Sequence, residues 1–200
     1  MAAPVYHFLP AAAHRTMPWA NGGGTTAEIA IFPPGAAIAA RDFDWRISRA
    51  RVEVDGPFSA LAGYDRILTL TSGAGMTLQG PDGLRFVLDR AGDQASFPGE
   101  WPIGAHLHGG DIEDLNVMVR RGVHAARADV LRVSDVGGFQ LAETSVVVAL
   151  EGGFRLAGGP ELGPRDAALI TGAIGGWQSV AGSGMLVVVQ LYRIFSPLDV

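Results

Sequence analysis

Apolar residues along this chain recur in short runs, some alternating with polar residues and some continuous, and glycine- or proline-bearing segments separate them. These runs predict strands at Ala27–Phe32, Phe43–Val54, Ile67–Leu70, Met76–Leu78, Leu84–Leu88, Leu115–Arg120, Ser145–Leu150, Phe154–Leu156, Ala168–Thr171, Gly176–Val180 and Met185–Ile194. Only Val123–Leu131 has a pattern that would support a turn or two of helix. With 28 glycines and 12 prolines among 200 residues, turns are frequent enough to place the chain in the all-β class, as a sandwich, jelly roll or barrel.

The pattern also repeats. Ile67–Leu78 (ILTLTSGAGMTL) reads as strand, glycine turn, strand, and Val146–Leu156 (VVVALEGGFRL) reads the same way. A turn and an apolar strand follow each hairpin, in Asp89–Pro98 and in Gly163–Gly172. Two copies of one β unit are expected, with the join somewhere in Gly122–Glu143. That divides the chain into residues 1–122 and 123–200, with strands expected to be exchanged between the halves.

Within Phe43–Val54 the apolar set changes parity. Phe43, Trp45 and Ile47 share one face, whereas Ala50, Val52 and Val54 share the other. A β-bulge near Ser48–Arg49 would explain the change. So would a polar cavity lined by the Asp44, Arg46 and Ser48 face.

Bulk properties narrow the function. The chain is 48% hydrophobic, yet no apolar run reaches the roughly 18 to 20 residues of a spanning helix. The richest stretch, Met185–Phe195, is interrupted by Gln190 and Arg193. The first ten residues lack the basic and apolar regions of a signal peptide, so a cytoplasmic protein without a membrane partner is expected. A formal net charge of -5 with scattered arginines argues against nucleic acid. All 15 basic residues are arginine and there is no cysteine. Such a composition fits a GC-rich genome, but it still removes Schiff-base lysines, P-loop lysines, thiol nucleophiles and cysteine–zinc sites.

Three segments are more distinctive: Pro18–Glu28 (PWANGGGTTAE); Phe43–Ala50 (FDWRISRA) with Asp55–Ser59 (DGPFS) and Gly63–Arg66 (GYDR); and Asp114–Arg120 (DLNVMVR). In this order and spacing the chain resembles the HutD/Ves family over most of its first 120 residues. The resemblance implies a bicupin, two small cupin-type β-barrels or jelly rolls packed in one chain. It also implies a link to bacterial histidine utilisation as an accessory regulator without an established reaction.

Several constellations can be weighed against structural roles. Gly22–Gly24 reads either as a turn needing positive φ or as a close approach of Asn21 and backbone N–H groups to a ligand, with Trp19 as an apolar wall. His106, His108 and Glu113 have the spacing of a cupin metal site, but they lie outside the hairpin where that motif belongs. The corresponding place, Asp55–Arg66, contains no histidine, so no metal and no cofactor are expected. Arg46 and Arg66 alternate into inward positions and need an anionic partner. Asp44, Asp65, Asp114 or Glu28 would serve, as would a ligand carboxylate gripped by the guanidinium. Asp114 and Asn116 share a face opposite Leu115 and Val117. Ser59 lacks a neighbouring histidine or a nucleophile elbow. The expected site is therefore Trp19, Asn21, Arg46, Arg66, Asp114 and Asn116, without catalytic residues. It would bind a small, anionic, nitrogen-containing metabolite, and the family resemblance implies a histidine-pathway intermediate such as urocanate or formiminoglutamate. The alternative is a metal-independent isomerase or hydrolase using Asp114 or Asp65. A scaffold with a vestigial cavity is a third reading.

Overall fold

The computed structural model describes residues 2–195. Its strands, in chain order, are β1 (Val5–Leu9), β2 (Arg15–Pro18), β3 (Gly24–Phe32), β4 (Trp45–Val52), β5 (Gly56–Pro57), β6 (Tyr64–Ser72), β7 (Met76–Gln79), β8 (Arg85–Leu88), β9 (Gln94–Pro98), β10 (Gly104–Leu107), β11 (Ile112–Arg120), β12 (His124–Val133), β13 (Val136–Gln140), β14 (Thr144–Leu156), β15 (Glu161–Leu162), β16 (Ala167–Thr171) and β17 (Trp177–Arg193). The helical pieces among the described residues are two single 3-10 turns, Ala11–Ala13 and Pro81–Gly83. Backbone contacts divide the chain into two units: Arg15–Val123, and the described parts of Met1–His14 with His124–Val200. β1, from the start of the chain, thus pairs with β16 of the later half.

The unit Arg15–Val123 has a six-stranded antiparallel sheet, β2-β3-β4-β11-β6-β9, and a four-stranded one, β5-β10-β7-β8. Both sheets contribute to one apolar cluster: Leu68, Leu70, Phe97 and Ile112 from the larger, Met76, Leu78, Leu88 and Ala105 from the smaller. Leu68, Leu70, Met76 and Leu78 are completely buried, and truncating a leucine in such a place costs about 2–5 kcal/mol. The hydrogen-bonded paths are open, so this unit is a sandwich rather than a closed barrel.

In the other unit one sheet folds over its own core. β14 pairs first with β16 and then with β15; β17 pairs first with β13 and then with β12. Both long strands bend where the β14–β17 register shifts between Ala149 and Glu151. There the backbones press together so closely that a Cβ on Gly152 would lie 1.9 Å from the Ser183 carbonyl oxygen, and only glycine fits. Side chains on either side of the bend, Val147 and Phe154 from β14 and Val180 and Val188 from β17, enter the same core.

Three local expectations need correction. Val123–Leu131 is not helical: it falls almost wholly in β12, paired along its length with β17. Its alanines favour a helix in isolation, but the long apolar neighbour wins. The bulge is not at Ser48–Arg49, since β4 runs in unbroken register against β11; the irregularity lies in β3, between Glu28 and Ala30. Finally, Ser145–Leu150 and Phe154–Leu156 form one strand, and Gly176–Val180 and Met185–Ile194 merge into another, which runs Trp177–Arg193, because the glycines between them bend the chain without ending pairing.

Candidate functional site

Residues opposite one another in neighbouring strands project to the same side of a sheet. In the six-stranded sheet this builds three rows across β3, β4, β11, β6 and β9. The first is Ile31–Arg46–Met118–Arg66–Phe97, the second is Glu28–Ser48–Asn116–Leu68–Ala95, and the third is Thr26–Ala50–Asp114–Leu70. The face is therefore graded. Its β6–β9 end is mostly apolar and packs into the core shared with the smaller sheet. Its β3–β4–β11 end is polar and borders a cavity of about 730 Å³. Arg46, Ser48, Ala50, Asn116 and Met118 line that cavity from the sheet, with Arg66 beside them from β6. Trp19 and Asn21 close one side and Phe58, Ser59 and Leu61 another. The polar lining is deeply buried: Arg46 is 2% exposed, Arg66 4% and Asn116 4%.

The two arginines differ. Arg46 Nε donates to Glu28 Oε2 at 2.7 Å and Nη1 donates to Ser48 Oγ at 3.1 Å. Its charge is matched within the sheet. The Arg66 guanidinium lies 5.0 Å from the Phe58 ring centroid and 5.5 Å from that of Phe97. Its Nη1 donates one long hydrogen bond, 3.4 Å, to the Ser59 carbonyl, and Nε has no hydrogen-bond partner among the described residues. Burial pushes its pKa down to about 10; Asp114 opposes that shift and Arg46 adds to it.

Asp114 is completely buried, and neither carboxylate oxygen has a hydrogen-bond partner among the described residues. Burial pushes its pKa up to about 7, against the attraction of Arg66 and with the help of Glu113. Asn116 Oδ1 is likewise buried without a partner. Trp19 Nε1 donates to Thr26 Oγ1 at 2.7 Å, and Asn21 Oδ1 accepts from Gly23 N at 3.0 Å. That second bond supports the turn Trp19–Gly24, where Gly22 has φ +71° and a Cβ on Gly24 would lie 2.2 Å from the Arg51 carbonyl oxygen. The glycines thus serve the turn, and the turn holds Trp19 and Asn21 at the cavity wall.

The HutD family model matches residues 11–188. The chain belongs to the HutD family. Protein Ves of Cronobacter sakazakii is 40% identical over 118 residues, covering 58% of this chain and 60% of that protein. The chain thus spans about 60% of the length of the curated relatives it matches. The structure of HutD from Pseudomonas fluorescens SBW25 in a formate condition is similar with a TM-score of 0.81 at 29% identity, covering 94% of this chain and 99% of that one. A conserved protein of unknown function from Pseudomonas aeruginosa PAO1 also scores 0.81, at 30% identity over 94% of this chain and 98% of its own. At 12% identity the nickel(II)-bound pirin YhhW of Escherichia coli, with a TM-score of 0.62, shows likeness of fold alone. The all-β, cupin-type class is thereby established for this HutD-family chain.

Five of the six residues expected at the site, Trp19, Asn21, Arg46, Arg66 and Asn116, line one cavity. The sixth, Asp114, is on the same face, one row from Asn116 and two from Arg66, and does not line it, although Thr26 and Ala50 of its row do. Of the carboxylates expected to serve the arginines, Glu28 pairs with Arg46, whereas Asp44 pairs with Arg120 and Asp65 with Arg121. His106, His108 and Glu113 do not converge. His106 Nδ1 lies 2.5 Å from Asp55, His108 Nδ1 2.9 Å from Asp89, and Glu113 3.9 Å from Arg49. No group of three or more His, Cys, Asp and Glu among the described residues is placed to hold a metal ion. Sequence reasoning missed Met118, although continuing the alternation from Asp114 and Asn116 reaches it. It also missed Phe58 and Leu61 as cavity walls, because they sit in irregular segments where periodicity carries no signal.

Proposed function

We propose that this HutD-family chain is a non-catalytic receptor for a small anionic, nitrogen-containing metabolite, acting in the cytoplasm as an accessory regulator of histidine utilisation. The observation that carries this reading is Arg66: a buried guanidinium without an ion-pair partner among the described residues, beside a cavity large enough for a metabolite. Leaving such a cation unpaired is costly. A ligand carboxylate would remove that cost through charge-assisted hydrogen bonds. Asn116 Oδ1 then needs a donor, which the imidazole N–H of urocanate or the formimino N–H of formiminoglutamate supplies. Trp19 and Phe58 offer apolar surfaces to the rest of the molecule. The regulatory context is taken from the family and from relatives such as the uncharacterised 21.2 kDa protein in the hutC 3′ region of Pseudomonas putida.

Calorimetric titration with urocanate and with formiminoglutamate tests this reading. One of them should bind saturably to the wild type, and Arg66→Met should weaken that binding at least about 100-fold, the order expected when a charged hydrogen-bonded contact is lost. Absence of binding by both, or equal affinity in Arg66→Met, contradicts it.

A second reading, a metal-independent isomerase or hydrolase, is favoured by Asp114, whose pKa of about 7 suits an acid or base. Against it, Asp114 does not line the cavity. Turnover of either compound that disappears in folded Asp114→Asn would support the enzyme. A vestigial, self-filled pocket has no support in a cavity of about 730 Å³.

A further inference from the structure

On β3, β4, β11 and β6 four ionisable side chains project from the graded face, Glu28, Arg46, Arg66 and Asp114, and the exposed Arg15 of β2 meets Glu28 from the sheet edge. Glu28 and Arg46 neutralise each other in direct contact. Arg66 and Asp114 are the remaining pair. They are on adjacent strands, close enough for each to shift the other's ionisation, but they form no direct ion pair. With all four ionised their charges balance, so the deep part of the face has no spare positive charge; the further cations, Arg15 beyond Glu28 and Arg41 at the cavity wall, are both solvent-exposed.

We infer that Asp114 adjusts this balance: where Asp114 is ionised in the free protein, a carboxylate that docks on Arg66 is accompanied by one proton, drawn from solvent and bound at Asp114. This rests on the reading above, that the ligand meets Arg66 through a carboxylate. The geometry supplies the reason. Asp114 has no hydrogen bond from the described residues to hold its charge and is fully buried, so its ionised form depends on Arg66. A ligand carboxylate takes over that cation and brings a second negative charge to the same dry face. Two carboxylates sharing one cation do not both stay ionised easily, and the one without donors takes the proton.

The other surroundings of Asp114 offer no substitute. Opposite it on β4 stands Ala50, and on β6 Leu70, with Thr26 at the end of its row on β3. Arg46 is occupied by Glu28, and Glu113, next along β11, adds only negative charge. The smaller sheet contributes Met76, Leu78, Leu88 and Ala105 to the shared core, while its His106 and the following His108 are held by Asp55 and Asp89. Asp114 is therefore a positioning residue for charge rather than a ligand contact, and it makes the site sensitive to pH in the neutral range.

The test has two arms. In the first, urocanate is titrated by calorimetry between about pH 6.5 and about pH 8.5 in buffers of different ionisation enthalpy; a carboxylate is ionised throughout that range, and the imidazole's own ionisation, which matters only towards the acidic end, is subtracted from the proton count. Proton uptake should rise from a small fraction at the acidic end towards about one per ligand at the basic end, with the dissociation constant growing towards about tenfold per pH unit. Asp114→Asn should abolish both the uptake and the pH dependence, and should bind at least as tightly as wild type at the basic end. Binding accompanied by no uptake, or pH dependence unchanged in Asp114→Asn, overturns the inference while leaving the receptor reading intact. The second arm needs no ligand. The Asp114 carboxyl carbon, followed by NMR in the free protein, should titrate in the neutral range and move to higher pH in Arg66→Met. An ordinary carboxylate titration, or no movement in Arg66→Met, overturns the inference even if urocanate fails to bind.

Discussion

The two units solve the same burial problem differently. In the one containing the chain's beginning and its residues from His124 onward, the buried polar side chains among the described residues are Ser145, Gln178 and Gln190, all neutral. Each is provided for: Ser145 Oγ accepts from Ala142 N at 3.0 Å, Gln178 accepts from Tyr6 OH at 2.6 Å, and Gln190 Nε2 donates to the Gln140 carbonyl at 2.7 Å. In Arg15–Val123 the buried set includes Arg46, Arg66 and Asp114, and Arg66 Nε, both Asp114 oxygens and Asn116 Oδ1 have no hydrogen-bond partner among the described residues. An antiparallel core of this kind closes without buried charge. The charges buried in the other unit are therefore not requirements of the architecture, and under the proposed function they are costs of the site.

Substitutions can break this contrast in decreasing order of size. Glu28→Gln should hurt most, because it leaves Arg46 buried without its anion; a loss of about 3–5 kcal/mol in denaturant unfolding is expected. A loss confined to a few tenths of a kcal/mol would mean that the pair contributes little. Next comes Asp114→Asn, whose effect depends on pH. The folded-state pKa of Asp114, about 7, lies above its ordinary value, so the folded wild type holds this proton more tightly than the unfolded chain. Its contribution to stability is fully present below about pH 4, falls as pH rises towards 7 and stays lost above. The Asn variant should match wild type at about pH 4 and exceed it at about pH 8 by at most about 4 kcal/mol. A constant difference across that range would contradict the assignment.

At about pH 5, where Asp114 holds its proton, Arg66→Met should leave stability unchanged or raise it while removing carboxylate binding. A variant destabilised at that pH would place Arg66 in the framework rather than the site. The smallest effect is expected in the other unit. Gln178→Ala should cost about 1–3 kcal/mol through its lost hydrogen bonds and leave ligand affinity untouched. Any change in affinity would show that the contrast between the units is drawn too sharply.

Much of this was legible in the sequence where alternation operates. Arg46 and Ser48, Asp114 and Asn116, and Arg66 with Leu68 and Leu70 all project as a two-residue period predicts, and neighbouring registers gather them into rows. The parity change after Ile47 was visible too; of its two explanations the bulge falls elsewhere, across the pair in β3, whereas Arg46 and Ser48 of the polar face do border a cavity. Phe58 was unreadable because its contact with Arg66 joins a loop to a strand. The depth of Asp114 was also hidden, since alternation assigns a side but not a distance from the cavity. β12 was misread because alanines at His124–Val133 carry no amphipathic signature that distinguishes a paired strand from a short helix.

The central claim is that the unmatched buried arginine waits for a ligand carboxylate. A crystal structure of the protein soaked with urocanate or formiminoglutamate tests it most directly. The account predicts a carboxylate within about 3 Å of the Arg66 guanidinium, in the range of charge-assisted hydrogen bonds, and a ligand N–H on Asn116 Oδ1. An empty cavity at saturating ligand, or a ligand bound with its carboxylate turned away from Arg66, would contradict it.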